Sequence, residues 1–177
     1  MNTTPSQRNK NRSVLALLRA LVPERPLRLS EAERLAELQA NRLRELLNID
    51  SVDLPDEAIT ELPRITVTSE YDLPVSGSAH WSNGRWIIAV NASEYPPRQR
   101  FSAAHELHHI ICHPLKAFMY ADEPGLPASV KAERLADYFA GALLMPKRHA
   151  TVGRRSSGSE RLGGVLSRQP ARGAVPG

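Results

Sequence analysis

The feature that most constrains this chain is an H-E-x-x-H motif formed by His105, Glu106 and His109. The motif lies within residues 97–113, and the mostly apolar residues on either side of it predict a largely buried helix with one polar stripe. On such a helix His105 and His109 are one turn apart and point the same way, so that two imidazole nitrogens reach one ion. Glu106 is rotated by about 100° from His105, so it reaches a water beside the ion rather than the ion itself.

This pattern predicts a zinc site that generates a nucleophile, with two neutral histidine ligands, an open position for water and a carboxylate that accepts its proton. Taken alone, the motif also fits an alternative, a helix whose histidines are satisfied by ordinary hydrogen bonds. A second segment, residues 128–146, favours the metal site. It predicts a helix on which Glu133 and Asp137 lie one turn apart on an otherwise small and apolar face.

Two carboxylates on an apolar face are costly to bury without a partner, and a metal ion supplies that partner. We therefore expect Glu133 to be the third ligand. We expect Asp137 to accept the outer N–H of a metal-bound histidine, foremost His105, and so to fix the tautomer of that ring. In the alternative interpretation, Glu133 and Asp137 face solvent and pair with Lys131 or Arg134.

The two segments together resemble the ImmA/IrrE family of metallo-endopeptidases, over residues 64–146. The resemblance rests on two motifs, which are Arg100-Phe101-x-x-Ala104-His105-Glu106-Leu107-x-His109 with His113, and Glu133-x-x-Ala136-Asp137-x-Phe139-Ala140-x-x-Leu143-Leu144-Met145-Pro146. It implies an α+β, zincin-like fold with a small β-sheet, the H-E-x-x-H helix and a second metal-ligand helix. It also implies a bound Zn²⁺ with the ligands His105, His109 and Glu133, and Glu106 as the catalytic base.

The resemblance further implies a regulatory protease that cleaves a helix-turn-helix transcriptional repressor or antitoxin encoded beside it, in a bacterium, phage or mobile element. An alternative from another class is a non-catalytic antirepressor or toxin-type binding module that sequesters the repressor. The retained Glu106 argues against this module, because a purely structural zinc site has no need of a base. A third and weaker interpretation is a DNA-associated factor that acts through a basic tail.

Other polar residues near the motif have several interpretations. His108 either lines the cleft, binds an oxyanion or packs, and we favour a role other than ligand because three imidazoles would crowd one turn. His113 is interpreted as a helix cap or an outer group near the cleft. Cys112 is interpreted as a buried structural thiol in preference to a fourth ligand. The candidate donors to an oxyanion are His80, Tyr95, His108 and Tyr120.

The residues before the motif predict a small sheet and a helical N-terminal segment. Ser30-x-x-Glu33 has the pattern of a capping box and predicts a helix to about Leu47. Asn83-Gly84 predicts a two-residue hairpin turn, with Trp81 and Trp86 pairing across it. The predicted strands are residues 65–68, 78–81 and 85–90. Residues 75–81 are the best candidate for an edge strand that binds an extended peptide substrate.

Charge and composition suggest how the chain is divided. The net charge is +4, but residues 147–177 carry +6, so that residues 1–146 carry −2. The basic pI therefore belongs to a tail, which predicts no nucleic-acid partner for the domain beyond a weak contact through that tail. We predict a basic, partly disordered N-terminal segment (1–28), a metallopeptidase domain (29–149) and a basic disordered tail (150–177).

Cysteine usage and hydropathy bear on the compartment. Cys112 is the only cysteine, so an internal disulfide is impossible and a reducing cytoplasm is expected. The apolar run Val14–Val22 is interrupted by Arg19 and predicts neither a signal peptide nor a membrane span. We therefore expect no membrane partner.

Overall fold

The computed structural model describes residues 13–147, and its α+β architecture agrees with the fold class that the sequence predicts. The expectations of disorder for residues 1–12 and for the tail lie outside the described residues. The helices are α1 (Val14–Arg19), α2 (Leu29–Leu46), α3 (Glu57–Thr60), α4 (Pro96–Cys112), α5 (Lys116–Met119) and α6 (Ala128–Leu144). The strands are β1 (Ile65–Glu70), β2 (Gly77–Ser82) and β3 (Arg85–Asn91), and a short 3₁₀ helix covers His113–Leu115.

The sheet has the order β1-β3-β2, so that β2 is an edge strand within the described part of the chain. β1 runs parallel to β3, and β2 runs antiparallel to it. The predicted hairpin is confirmed, because Asn83 and Gly84 have φ values of 49° and 77°, as a type I′ turn requires. Trp81 pairs with Trp86 across this hairpin, with the ring centroids 5.6 Å apart.

Helix α4 is central to the fold because it packs on the sheet with one face and on α6 with another. Leu107, Ile110 and Ile111 on α4 are fully buried, and each contributes about 1.5–3 kcal/mol by leaving water. Helix α2 in turn packs on α6. The H-E-x-x-H motif therefore lies on the helix most firmly fixed by the core, as a precise ligand geometry requires.

The predicted capping box is wrong, because α2 begins at Leu29 rather than after Ser30. The backbone N–H of Leu29 donates to Oε2 of Glu123 at 2.8 Å, and the fully buried Lys131 holds that same oxygen at 3.1 Å. A distant carboxylate therefore accepts the first backbone N–H of the helix, and Glu31 accepts the N–H of Arg28 at 3.2 Å. Glu33 instead accepts a hydrogen bond from Arg134 on α6.

Helix α1 is fixed to the end of α4, although the sequence assigned it to the segment that precedes the domain. Leu18 is fully buried. Arg19 donates to the carbonyl of Ile111 through Nε at 3.0 Å and to that of Ile110 through Nη2 at 2.8 Å. These carbonyls lie in the last turn of α4, where few backbone donors are available, although that of Ile110 also accepts the backbone N–H of His113. A positively charged guanidinium at the C-terminal end of a helix also interacts favourably with the helix dipole.

Replacing Arg19 with methionine is expected to lower the free energy of unfolding by about 1–3 kcal/mol, because two carbonyls lose a charged donor. Urea unfolding followed by circular dichroism measures this change. The matched control is Arg34→Met at an exposed position of α2, where a change within about 0.5 kcal/mol is expected. Equal effects of the two substitutions would show that α1 contributes nothing to the end of α4.

Candidate metal centre

The two histidines of the motif face one point in space. His105 and His109 are successive residues of one face of α4, and their Nε2 atoms are 3.0 Å apart. Both rings are partly buried. Burial, reinforced by the neighbouring His105, lowers the pKa of His109 below its usual value, although Glu133 acts in the opposite direction. Neutral imidazole is the form that binds a metal, so this environment suits a ligand.

Glu133 on α6 completes a cluster of three donors. Its Oε2 lies 3.2 Å from Nε2 of His105, and its Oε1 lies 3.4 Å from Nε2 of His109. Two donors at zinc-ligand distances and tetrahedral angles are about 3.3 Å apart. The three separations therefore fit an ion enclosed by His105, His109 and Glu133, a group that can hold a metal within the described residues.

The expected burial of Glu133 and Asp137 on α6 is wrong. The side chains of Glu133 and Asp137 are 65% and 61% exposed. Their position beside the histidines is set by the packing of α6 on α4, not by a need to neutralise buried charge. The alternative pairing with Lys131 or Arg134 is also wrong, since Lys131 binds Glu123 and Arg134 binds a glutamate of α2.

Asp137 contacts the ring of His105 at Nδ1, on the side away from the cluster. Its Oδ1 lies 2.9 Å from Nδ1 of His105. A carboxylate only accepts hydrogen bonds, so Nδ1 carries the proton and Nε2 presents its lone pair to the cluster. The contact thus selects the tautomer that a metal ligand needs and fixes the orientation of the ring.

Replacing Asp137 with alanine is expected to weaken zinc binding by about 10- to 100-fold, because the orientation of His105 and its basicity are lost together. Competition with a chelating dye measures the affinity. Asp137→Asn is the matched variant, and it should retain a larger part of the affinity since its amide oxygen still accepts the Nδ1 proton. Equal zinc affinity of Asp137→Ala and the wild type would contradict this role.

Glu106 adjoins the cluster inside a cavity of about 380 Å³ that His109 and Glu133 also line. Burial raises its pKa above the usual value, with His105 opposing and Glu133 reinforcing the shift. A carboxylate whose pKa is raised by burial is a stronger base than an exposed one. The edge strand β2 comes close to Glu106. A Cβ added to Gly77 on this strand would lie 3.3 Å from Cγ of Glu106.

The hypothesis that His108 lines the cleft is wrong. Its side chain is fully buried, with its ring centroid 5.0 Å from that of Phe139 and Nε2 3.5 Å from Sγ of Cys112. Burial lowers the pKa of His108 to about 3. Cys112 is also fully buried, and burial raises its pKa to about 12, which fits the inert structural thiol that the sequence favours.

The buried imidazole predicts a loss of stability in acid. The pKa of His108 is about 3 in the folded protein and about 6.5 when exposed. Between these values only the unfolded chain takes up this proton, so stability falls as pH falls, by about 1.4 kcal/mol per pH unit. Urea unfolding of the metal-free protein and of His108→Leu, from pH 7 to 4.5, tests this expectation. The difference between the two free energies should follow that slope, and parallel curves would contradict it.

His113 lies on the wall of the same cavity as Glu106, at the residue that caps the end of α4. Lys116 lines this wall too, and sequence reasoning missed it. The available signal was its position seven residues after His109, which repeats the same face of a continuous helix, although α4 itself ends at Cys112. His113 and Lys116 are therefore two polar groups that the structure brings to the cavity beside the cluster.

Of the other candidate oxyanion donors, His80 and Tyr95 are not brought to the cluster, and the hydroxyl oxygen of Tyr120 is buried. His80 is exposed, and it points away from α4 because its neighbour Ala79 packs on the core. Tyr95 precedes the first residue of α4, about 15 Å along the helix axis from His105. Tyr120 is close, with its ring centroid 6.5 Å from that of His109, but its hydroxyl oxygen is buried.

Comparison with known proteins gives one match. A family model described as the IrrE N-terminal-like domain, of peptidase family M78, matches residues 63–151, half of the chain. This range includes the sheet, α4 and α6, and thus every residue of the cluster. Neither the curated proteins nor the solved structures give a significant match. Among residues 13–147, no helix has both the length and the hydropathy needed to cross a bilayer.

Proposed function

The chain belongs to the peptidase family of IrrE N-terminal-like domains, and on this premise we propose that it is a zinc-dependent endopeptidase. One observation carries the proposal. His105, His109 and Glu133 present donors that are mutually 3.0–3.4 Å apart, with a partly buried carboxylate, Glu106, in the adjoining cavity. A structural zinc site is closed by four protein ligands, whereas three ligands and a nearby base suit hydrolysis.

Zinc held by these three side chains would polarise a carbonyl and lower the pKa of a water to about 7. Glu106 accepts the proton of the attacking water on a carboxylate oxygen and returns it to the nitrogen of the leaving amine. Asp137 keeps the proton of His105 on Nδ1, so that Nε2 remains a donor of its lone pair. The raised pKa of Glu106 makes it a stronger acceptor of the water's proton than an exposed carboxylate would be.

The substrate is proposed to lie along β2. This strand has an unpaired outer edge within the described residues, and its Ser78 and Ala79 line the cavity of Glu106. A peptide that pairs with such an edge is held by backbone hydrogen bonds and presents its carbonyl groups at regular intervals. The position of β2 beside the cluster supports its expected role as the strand that binds the peptide substrate.

The proposed substrate is a helix-turn-helix repressor or antitoxin, cut in the cytoplasm. The ImmA/IrrE resemblance supports the substrate class, and the lone, buried Cys112 supports a reducing compartment. The test is co-expression of the chain with the repressor encoded beside it, followed by mass spectrometry of the repressor. Fragments that appear with the wild type and not with Glu106→Gln support the protease. Equal derepression by both proteins, without fragments, would replace it with the sequestering module.

A further inference from the structure

We propose that Ala79, Trp81 and Trp86 form a subsite that selects one large apolar side chain of the substrate beside the metal centre. The inference rests on the proposed function and adds a determinant of specificity to it. Backbone pairing along β2 is indifferent to side chains, so selectivity must come from pockets that receive alternate residues of the bound peptide. The cavity of about 380 Å³ next to Glu106 is such a pocket.

The floor of this pocket is made by small residues. Successive side chains of a strand alternate between its faces, so Gly77, Ala79 and Trp81 share the face of β2 that looks toward α4. At Gly77 the approach is so close that an added Cβ would lie 3.2 Å from Cβ of Ser102. Ala79 has a small side chain and fills little of the cavity that it lines beside Glu106. A larger residue at position 79 would occupy the volume that is now open beside Glu106.

The wall of the pocket is aromatic. Trp86 lines the cavity and stands edge to face with two other rings, Trp81 at 5.6 Å and His113 at 5.2 Å between centroids. Trp81 is 53% exposed, which is unusual for so large an apolar side chain. Trp81 does not line the cavity itself but contacts Trp86, which does, and an exposed indole in this position is stabilised when an apolar group covers it.

The lining of the pocket divides into polar and apolar groups. Glu106, His113 and Lys116 are polar and line it together with the candidate metal ligands His109 and Glu133. The indole of Trp86, with Trp81 beside it, and the methyl group of Ala79 are apolar. An apolar side chain next to the scissile bond matches this division, whereas a charged one would lose its hydration against the indoles.

The test compares two zinc-binding probes that differ in their apolar part, acetohydroxamate and 3-phenylpropanohydroxamate. Their affinities for the zinc-loaded full chain are measured by calorimetry. In the wild type the phenylpropano probe is expected to bind about 10- to 100-fold more tightly than acetohydroxamate, because it buries a large apolar group. Ala79→Leu should reduce this preference to less than about threefold, because leucine fills the floor of the pocket.

Unchanged affinity for acetohydroxamate in Ala79→Leu would show that the metal centre is intact. Ser82→Leu is the matched control, since it adds the same bulk to the opposite face of β2, and it should keep the full preference. Trp81→Ala changes an exposed side chain that the fold tolerates, and it should weaken only the phenylpropano probe, by about 3- to 10-fold. This second variant keeps the test decisive if Ala79→Leu does not fold.

Equal affinity of the two probes for the wild type, or a full preference in both variants, would overturn the subsite and leave the metal centre standing. If neither probe binds a protein that contains stoichiometric zinc, the proposed open metal site fails and the subsite fails with it. The binding of acetohydroxamate therefore distinguishes failure of the subsite, in which this probe still binds, from failure of the metal site, in which it does not.

Discussion

Replacing Glu106 with glutamine is expected to reduce the rate of peptide hydrolysis by about 10²- to 10⁴-fold, the contribution of a positioned general base. Glutamine has the same shape but its amide cannot accept and return a proton. Zinc content should not change, because the three candidate donors are His105, His109 and Glu133. Rates of cleavage of the repressor, measured with purified proteins, and metal analysis of the same samples test both halves of the expectation.

The matched control for this substitution is Glu61→Gln, which makes the same chemical change at an exposed position after α3. It should leave the rate within about twofold, as surface substitutions ordinarily do. A rate for Glu106→Gln within a few-fold of the wild type would remove Glu106 from the role of base. Loss of zinc in this variant would instead indicate that Glu106 supports the ligands.

Replacing Glu133 with alanine is expected to weaken zinc binding by more than about 100-fold, beyond the loss expected for an outer hydrogen-bonding partner. The substitution removes the charged donor and leaves two neutral imidazoles. The stabilisation by zinc should disappear with it, and this amounts to about 2.7 kcal/mol when free zinc is 100 times the dissociation constant. Chelator competition gives the affinity, and thermal unfolding with and without zinc gives the stabilisation.

Glu61→Ala is the control for Glu133→Ala, and it should retain both the affinity and the thermal shift. If Glu133→Ala binds zinc at wild-type stoichiometry and affinity, Glu133 is not a ligand, and its contacts with the imidazoles are an ion pair only. The two glutamate substitutions thus separate the functions of the site. Glu106→Gln should lose catalysis and keep the metal, whereas Glu133→Ala should lose both.

The sequence by itself determined the features that depend on local geometry. The spacing of His105 and His109 places two rings on one face because the helical repeat is 3.6 residues. Asn83-Gly84 specifies the hairpin, since both residues tolerate positive φ. The spacing of Glu133 and Asp137 likewise places them on one face of α6, where both reach the ring of His105.

Only the tertiary structure decided what surrounds each side chain. His108 lies on the same helix as the candidate ligands, but Phe139 on α6 packs against its ring. The side chain of His108 therefore lies in the core and not in the cleft. The start of α2 depends on Glu123, a residue 94 positions further along the chain than Leu29. Trp86 meets His113 only because the sheet packs against the end of α4. The helical repeat fixes directions along one element, whereas burial and contacts depend on which elements meet, and that information is spread over the whole chain.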